Sequence, residues 1–138
     1  MTAMHRTALV TGSAGFIGYH VAARLLADGF KVVGFDGMSD YYDVTLKQRR
    51  QEMLLEHAQF QVVNDKIETP GVLLTLFEQH RPDIVIHLAA QAGVRHSIQM
   101  PRAYVEANLM GTFELLEAAR TFPPKHMLLA SSSSVYGA

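Results

Sequence analysis

The chain contains no cysteine. That excludes disulfide scaffolds, thiolate metal sites and cysteine nucleophiles together, and suits a reducing compartment, so a cytoplasmic location is expected. Charge of one sign is also lacking: 12 Lys and Arg stand against 13 Asp and Glu, for a formal net charge of -1. A nucleic-acid or anionic-membrane surface needs clustered basic charge, so neither partner is expected. No run approaches the ~20 apolar residues of a membrane span. The apolar stretch Thr7–Thr11 is too short for the core of a signal peptide. The seven histidines include no His-x-x-x-His pair, and no carboxylate stands at ligand spacing from them. No metal site is expected, and His87 reads as a satisfied core histidine.

What is present is an ordinary globular composition. The 138 residues are 49% hydrophobic and 18% charged. This suits one domain with a real core. Short apolar runs alternate with helical patterns. Strands are expected at Ala8–Val10, Lys31–Phe35, Phe60–Val63, Ile84–Leu88 and Met127–Ala130. Helices are expected from Phe16 to a cap at Gly29, over Val44–His57, over Pro70–Gln79 and over Pro101–Arg120. In the last of these, Val105, Leu109, Thr112 and Leu116 share one face. Continuously apolar strands between helices indicate a parallel sheet covered on both faces. Right-handed crossovers make it α/β, a Rossmann-type doubly wound sheet of five strands in the order 3-2-1-4-5.

Thr11–Gly18 reads TGSAGFIG, a G-x-x-G-x-x-G element between a strand and a helix. Gly12 permits the tight turn, Gly15 lets a pyrophosphate approach the backbone, and Gly18 lets the helix close on the strand. The competing reading is a glycine-rich turn without a ligand. Asp36 ends the second strand 18 residues after Gly18, near the ~20-residue spacing of a ribose-binding acid. Its carboxylate would accept from both ribose hydroxyls and repel a 2′-phosphate, and no arginine follows until Arg49. This favours NAD over NADP. The stretch His87–Arg95, rich in small residues, leaves room for a ligand at the switch point between strands one and four. Ser131–Ser134 puts four hydroxyls at the end of the fifth strand; a plain polar loop is the alternative.

These motifs together resemble the extended short-chain dehydrogenase/reductase superfamily, within it the nucleotide-sugar epimerases and dehydratases, and most of all the UDP-glucuronate 4-epimerases. Four stretches carry the resemblance: TGSAGFIG at Thr11–Gly18, DYYDVTLK at Asp40–Lys47, HLAAQAGVRHS at His87–Ser97 and ASSSSVYG at Ala130–Gly137. Asn108 with Gly111 and Thr112 fits the family's Asn-x-x-Gly-Thr element.

The resemblance implies NAD as cofactor. It places Phe16 and Ile17 beside the pyrophosphate, Asp36 on the ribose, and Leu88, Ala89, Ala90 and Gln91 along the dinucleotide. Asn108 and Ser131 join the cofactor set. Ser132 corresponds to the catalytic Ser/Thr, and Ser133, Ser134 and Arg95 fall near a UDP-sugar substrate. The family's adenine-holding Asp-Ile or Asp-Leu appears here within Asn64-Asp65-Lys66-Ile67, so Asp65 and Ile67 are the candidates. Two further expectations come from the family. Its Tyr-x-x-x-Lys pair is not found in these residues, so residues 1–138 are expected to form an incomplete NAD-binding domain without the substrate region. Self-association or a homodimer is also expected. A 4,6-dehydratase is disfavoured, because Ser133 and Ser134 stand where that group has Asp-Glu. A non-catalytic NAD-binding or interaction module remains the third alternative.

Overall fold

The computed structural model describes residues 6–137; Met4 and His5 lie outside the described residues. Five strands form one parallel sheet in the order β3-β2-β1-β4-β5, as the alternation of apolar runs and helices requires. They are β1 (Thr7–Thr11), β2 (Lys31–Phe35), β3 (Phe60–Val63), β4 (Ile84–His87) and β5 (His126–Leu129). The registers lock the strands level at their C-terminal ends: Thr11 lies beside Phe35 and His87, and His87 beside Leu129. Every loop that follows a strand therefore opens on the same edge.

The side-chain alternation of the strands splits the core in two. Leu9, Val33, Phe35 and Val85 face one side with Ile67, Leu73, Leu76, Phe77, Leu115 and Ala118. Val10 and Val32 face the other with Ala22, Leu54 and Phe60. Helices α1 (Phe16–Ala27) and α2 (Val44–Leu55) cover the second face, and α3 (Val72–His80) and the later helices cover the first. Gly29, at φ +91°, follows the α1 cap at Asp28, the left-handed position that glycine accepts without penalty. In α2 only Leu54 is buried, and Asp43 caps the helix by accepting from the Thr45 N–H at 2.9 Å.

The structure departs from the sequence reading after β4. A short helix, α4 (Val94–Gln99), precedes the expected long one. It escaped notice because it buries no residue: Val94 and Ile98 are both 80% exposed. The long helix is three pieces: α5 (Pro101–Tyr104), a π-helical turn over Val105–Met110, and α6 (Gly111–Thr121). Its expected apolar face is not the one that packs. Val105, Leu109 and Leu116 are exposed, whereas Gly111, Leu115 and Ala118 are buried. The wider π turn shifts the register, and the small residues let the backbone approach α3 and Ile67. A Cβ on Gly111 would lie 2.5 Å from the Ile67 Cγ2. A helix with two apolar faces can bury only one within a single layer.

Candidate functional site

The TGSAGFIG loop is built from the backbone outward. The Gly12 N–H donates to the Phe35 carbonyl at 2.6 Å, tying the end of β1 to β2. Gly12 has φ +75°, and a Cβ there would lie 3.0 Å from the Ala89 N. A Cβ on Gly18 would stand 1.9 Å from the Gly12 carbonyl oxygen. Two of the three glycines are thus demanded by the chain's own packing. Gly15 differs: its Cβ would meet only the Gly12 oxygen, at 3.2 Å. The open side of that residue is where an anion could approach. Gly15 caps α1 without a side-chain hydrogen bond, and the first turn has no acidic residue. The free N–H groups and the helix dipole there favour negative charge. Phe16 and Ile17, in that first turn, are 67% and 61% exposed.

Asp36 is buried and aimed at this loop. Its Oδ2 accepts from the Ala14 N–H at 2.9 Å and its Oδ1 from the Met38 N–H at 2.8 Å. Each oxygen keeps a second lone pair, so the carboxylate can still accept from two hydroxyls of a vicinal diol. Asn64 donates from Nδ2 to the Asp36 carbonyl at 3.0 Å and exchanges two 2.9 Å bonds with Gln51. Asp65 accepts from the Lys66 N–H at 2.7 Å and the Thr69 hydroxyl at 3.0 Å, capping its own turn. Ile67 is buried in the core. The Ile67 side chain packs against Gly111, which leaves its backbone for the expected cofactor contact.

The strand-four loop hangs on Thr11. The Thr11 Oγ1 accepts from the Leu88 and Ala89 N–H groups, both at 3.0 Å, and lies 2.7 Å from the His87 Nδ1. With its acceptor capacity used by two N–H donors, the hydroxyl proton goes to Nδ1. His87 is then the neutral tautomer with its proton on Nε2. Burial also lowers its pKa below 6.5. The reading of His87 as a satisfied core residue holds.

Asn108, in the π turn, accepts from the Gln91 N–H at 2.8 Å and donates to the Gln91 carbonyl at 3.1 Å. Its amide is engaged at both ends with loop backbone, so Asn108 holds the loop, and one Nδ2 hydrogen and one Oδ1 lone pair remain for a ligand. The π turn is what brings that side chain to Gln91, and such bulges often mark functional sites.

Leu88–Gln91 therefore lies beside the glycine loop, on the same edge as Asp36. Ser131–Ser134 also follows its strand on this edge and is exposed. The Ala130 N–H donates to the His87 carbonyl at 3.1 Å. The Ser132 Oγ accepts from the Ser134 N–H at 3.1 Å, capping a turn of 3₁₀ helix over Ser133–Tyr136. Its own proton remains free to donate. Arg95, in α4, is exposed and makes no ion pair among the described residues.

Sequence reasoning missed two groups of contacts at this edge, one around Arg50 and one around Tyr41 and Tyr104. Arg50 donates from Nη1 to the Ala14 carbonyl at 3.2 Å, and its guanidinium lies 6.0 Å from the Phe16 ring centre. The Tyr41 ring stacks 4.4 Å from that of His96, and Tyr104 donates to the Ala92 carbonyl at 2.6 Å and also to that of Gly93. Tyr41 thus joins the loop after β2 to the loop after β4. The Asp40–Lys47 motif marked the tyrosine, but nothing in its spacing pointed to His96.

Three comparisons bear on this arrangement. The sequence profile described as GDP-mannose 4,6 dehydratase matches residues 9–138. A "Probable UDP-glucuronate 4-epimerase" from Rhizobium meliloti (strain 1021) is 54% identical, over 94% of this chain and 38% of that protein. The UDP-glucuronate 4-epimerase of Thermodesulfobacterium geofontis (strain OPF15) is 46% identical, over 93% of this chain and 40% of its own length. Among solved structures, the UDP-glucuronic acid 4-epimerase from Bacillus cereus in complex with UDP-glucuronic acid and NAD matches with a TM-score of 0.87. It is 38% identical, and the match covers 95% of this chain and 41% of that one. The chain thus spans about two-fifths of the length of these relatives. Because the profile match runs over nearly all of its residues, the chain belongs to the GDP-mannose 4,6 dehydratase family.

Proposed function

We propose that this chain is the NAD-binding part of a nucleotide-sugar 4-epimerase that converts UDP-glucuronate to UDP-galacturonate. The observation that carries the reading is the pairing of Asp36 with the glycine loop. A buried carboxylate with two spare lone pairs sits one hydrogen bond from a loop whose helix N-terminus lacks any acidic or capping side chain. That combination suits a ribose diol next to a pyrophosphate. The names of the relatives, two of them UDP-glucuronate 4-epimerases, support the substrate.

When bound, NAD would supply reversible acceptance of hydride from the sugar's C4. The chain's own residues have simpler tasks. Gly15 and the first turn of α1 would hold the pyrophosphate, Asp36 the adenosine ribose, and Leu88–Gln91 the dinucleotide's flank. Asn108 and Thr11 keep that flank in place from behind. Ser132 would donate its free proton in a hydrogen bond that orients the sugar 4-hydroxyl. An unassisted serine is a weak base near neutral pH, so proton removal belongs to another group. These 138 residues contain no Tyr-x-x-x-Lys. The proposal therefore assigns binding, and not turnover, to this domain by itself. Arg95 and Ser133–Ser134 would face the sugar's carboxylate.

Self-association belongs to the same reading. Leu109, Phe113 and Leu116 are 65%, 51% and 45% exposed on one surface of the last helices. The outer edge of β5 is an unpaired strand edge among the described residues. Light scattering over a concentration series checks this; a monomer at every concentration refutes it.

Calorimetric titration tests the main reading. The chain is expected to bind NAD more tightly than NADP, and Gly15→Val to abolish binding of both. At a hundredfold excess over its dissociation constant, NAD should raise apparent stability by ~2.7 kcal/mol. Equal or tighter binding of NADP would defeat the Asp36 assignment, and an undiminished NAD response in Gly15→Val would remove the loop from the site.

A further inference from the structure

The arginines after β2 look irrelevant to the adenosine end when counted along the chain, since the first, Arg49, comes 13 residues after Asp36. The fold reverses that judgement. Helix α2 turns back toward α1, and the two neighbouring arginines separate. Arg49 pairs with Glu52 at 3.6 Å on an exposed surface. Arg50 instead reaches the glycine loop, where its Nη1 donates to the Ala14 carbonyl at 3.2 Å. The N–H of the same residue, Ala14, donates to Asp36 Oδ2 at 2.9 Å. One residue of backbone therefore carries the site's anion on its N–H side and a cation on its carbonyl side.

We propose that Arg50 is a second specificity-determining residue for the dinucleotide: a guanidinium placed to accept a ribose 2′-phosphate, opposing the exclusion that Asp36 imposes. The inference rests on the dinucleotide reading above. Arg50 is half-buried and has no carboxylate within ion-pair distance among the described residues. A guanidinium has five N–H donors, and the Ala14 carbonyl occupies one of them. The remainder match the geometry of a phosphate, which arginine binds in a forked fashion. In this class of fold an acid after β2 takes the ribose hydroxyls, whereas a nearby arginine takes the 2′-phosphate. Here both are present, bonded to the carbonyl and the N–H of the same residue, Ala14. Preference for NAD over NADP is then a difference of two opposed terms, smaller than Asp36 alone would set. Contact with the Phe16 ring, 6.0 Å from the guanidinium carbon, keeps the arginine at the loop without neutralising its charge.

The test is a cycle of dissociation constants for NAD and NADP, measured by calorimetry on the chain and on Arg50→Gln, Asp36→Asn and the double variant. Arg50→Gln should weaken NADP about tenfold more than NAD, the scale of one lost charge-assisted hydrogen bond. Asp36→Asn should narrow the gap between the nucleotides by about tenfold, and most of that narrowing should disappear in the double variant. Arg50→Lys should retain part of the effect, because it keeps the charge and loses the fork. NADP affinity in Asp36→Asn should fall with salt more steeply than in the double variant. If Arg50→Gln weakens both nucleotides by the same factor, Arg50 only supports the loop and the inference fails while the dinucleotide reading stands. If the unaltered chain binds neither nucleotide, both fail.

Discussion

The two flanks of the sheet carry the same hydrogen-bond ladder and live in different surroundings. In β1 and β2 every residue after the first is buried; in β5 none is, and Leu128 and Leu129 are 52% and 47% exposed. Parallel pairing is continuous across both, so pairing is not the difference. Helices are: α1 and α2 lie over one face of β1 and β2, and α3 and α6 over the other, whereas β5 gives the core only the partly buried Met127. Burial of a parallel strand comes from the layers above and below it, not from its neighbours in the sheet. The functional groups divide along the same line. The glycine loop and Asp36 stand on the covered flank, where the Gly12 N–H is tied to the Phe35 carbonyl and the Ala14 N–H to Asp36. Ser131–Ser134 stands on the open flank, exposed and hydrogen-bonded within its own turn among the described residues.

The contrast can be broken with single substitutions. The largest effect is expected on the covered flank, where Phe35→Ala removes a fully buried ring beside Asp36. It should cost about 3–5 kcal/mol in urea unfolding. A loss below 1 kcal/mol would mean that the core cluster does not close around β2. Next comes Gly18→Ala, whose methyl would stand 1.9 Å from a backbone oxygen. Backbone cannot yield as a side chain can, so a loss of about 2–3 kcal/mol and weaker NAD binding are expected. Unchanged stability would show that α1 can slide off the loop.

Asn108→Ala should cost about 1–2 kcal/mol, since it leaves the N–H and carbonyl of Gln91 unpaired. Hydrogen exchange at Gln91 should quicken more than exchange in β1; uniform quickening would assign Asn108 to global stability alone.

His87 sharpens the comparison through pH. Its pKa is lowered from 6.5 by burial, so the unfolded chain takes up a proton before the folded one does. Stability is then full above about pH 6.5 and is lost as pH falls from there toward the folded value, with a slope of at most ~1.4 kcal/mol per pH unit for one proton. Melting temperature between pH 7.5 and 5 should show this decline, and His87→Asn should flatten it. A variant with the same slope would place the titration elsewhere. The smallest effect belongs to the open flank: Leu129→Gln should change stability of the dilute chain by less than about 0.5 kcal/mol while reducing self-association. A large loss of stability would mean that β5 is already covered.

Much of this architecture is legible in the residues because it is local. The strands announce themselves as apolar runs, and the order 3-2-1-4-5 follows from handed crossovers between parallel strands. The glycine loop is legible because the turn and the helix start it serves lie within eight residues. Asp36 is legible because β2 has a fixed length and ends where the loop begins. The misreadings have equally physical origins. The apolar stripe Val105, Leu109, Leu116 obeys helical spacing, yet spacing cannot say which of two apolar faces meets the sheet, nor that a π turn will shift the register between them. Helix α4 has no buried face to reveal it.

What the sequence by itself determined is therefore the set of contacts that close within one strand–turn–helix unit: the fold class, the glycine loop and the acid after β2. Only the tertiary structure decided which distant groups meet at that loop. Arg50 reaches Ala14 across 36 residues, Asn108 grips Gln91 across 17, and Thr11 holds the strand-four loop across 77. Such contacts depend on the angle at which helices return over the sheet. Packing sets that angle, through the small residues and ring volumes of both layers at once, and no window of the chain contains it.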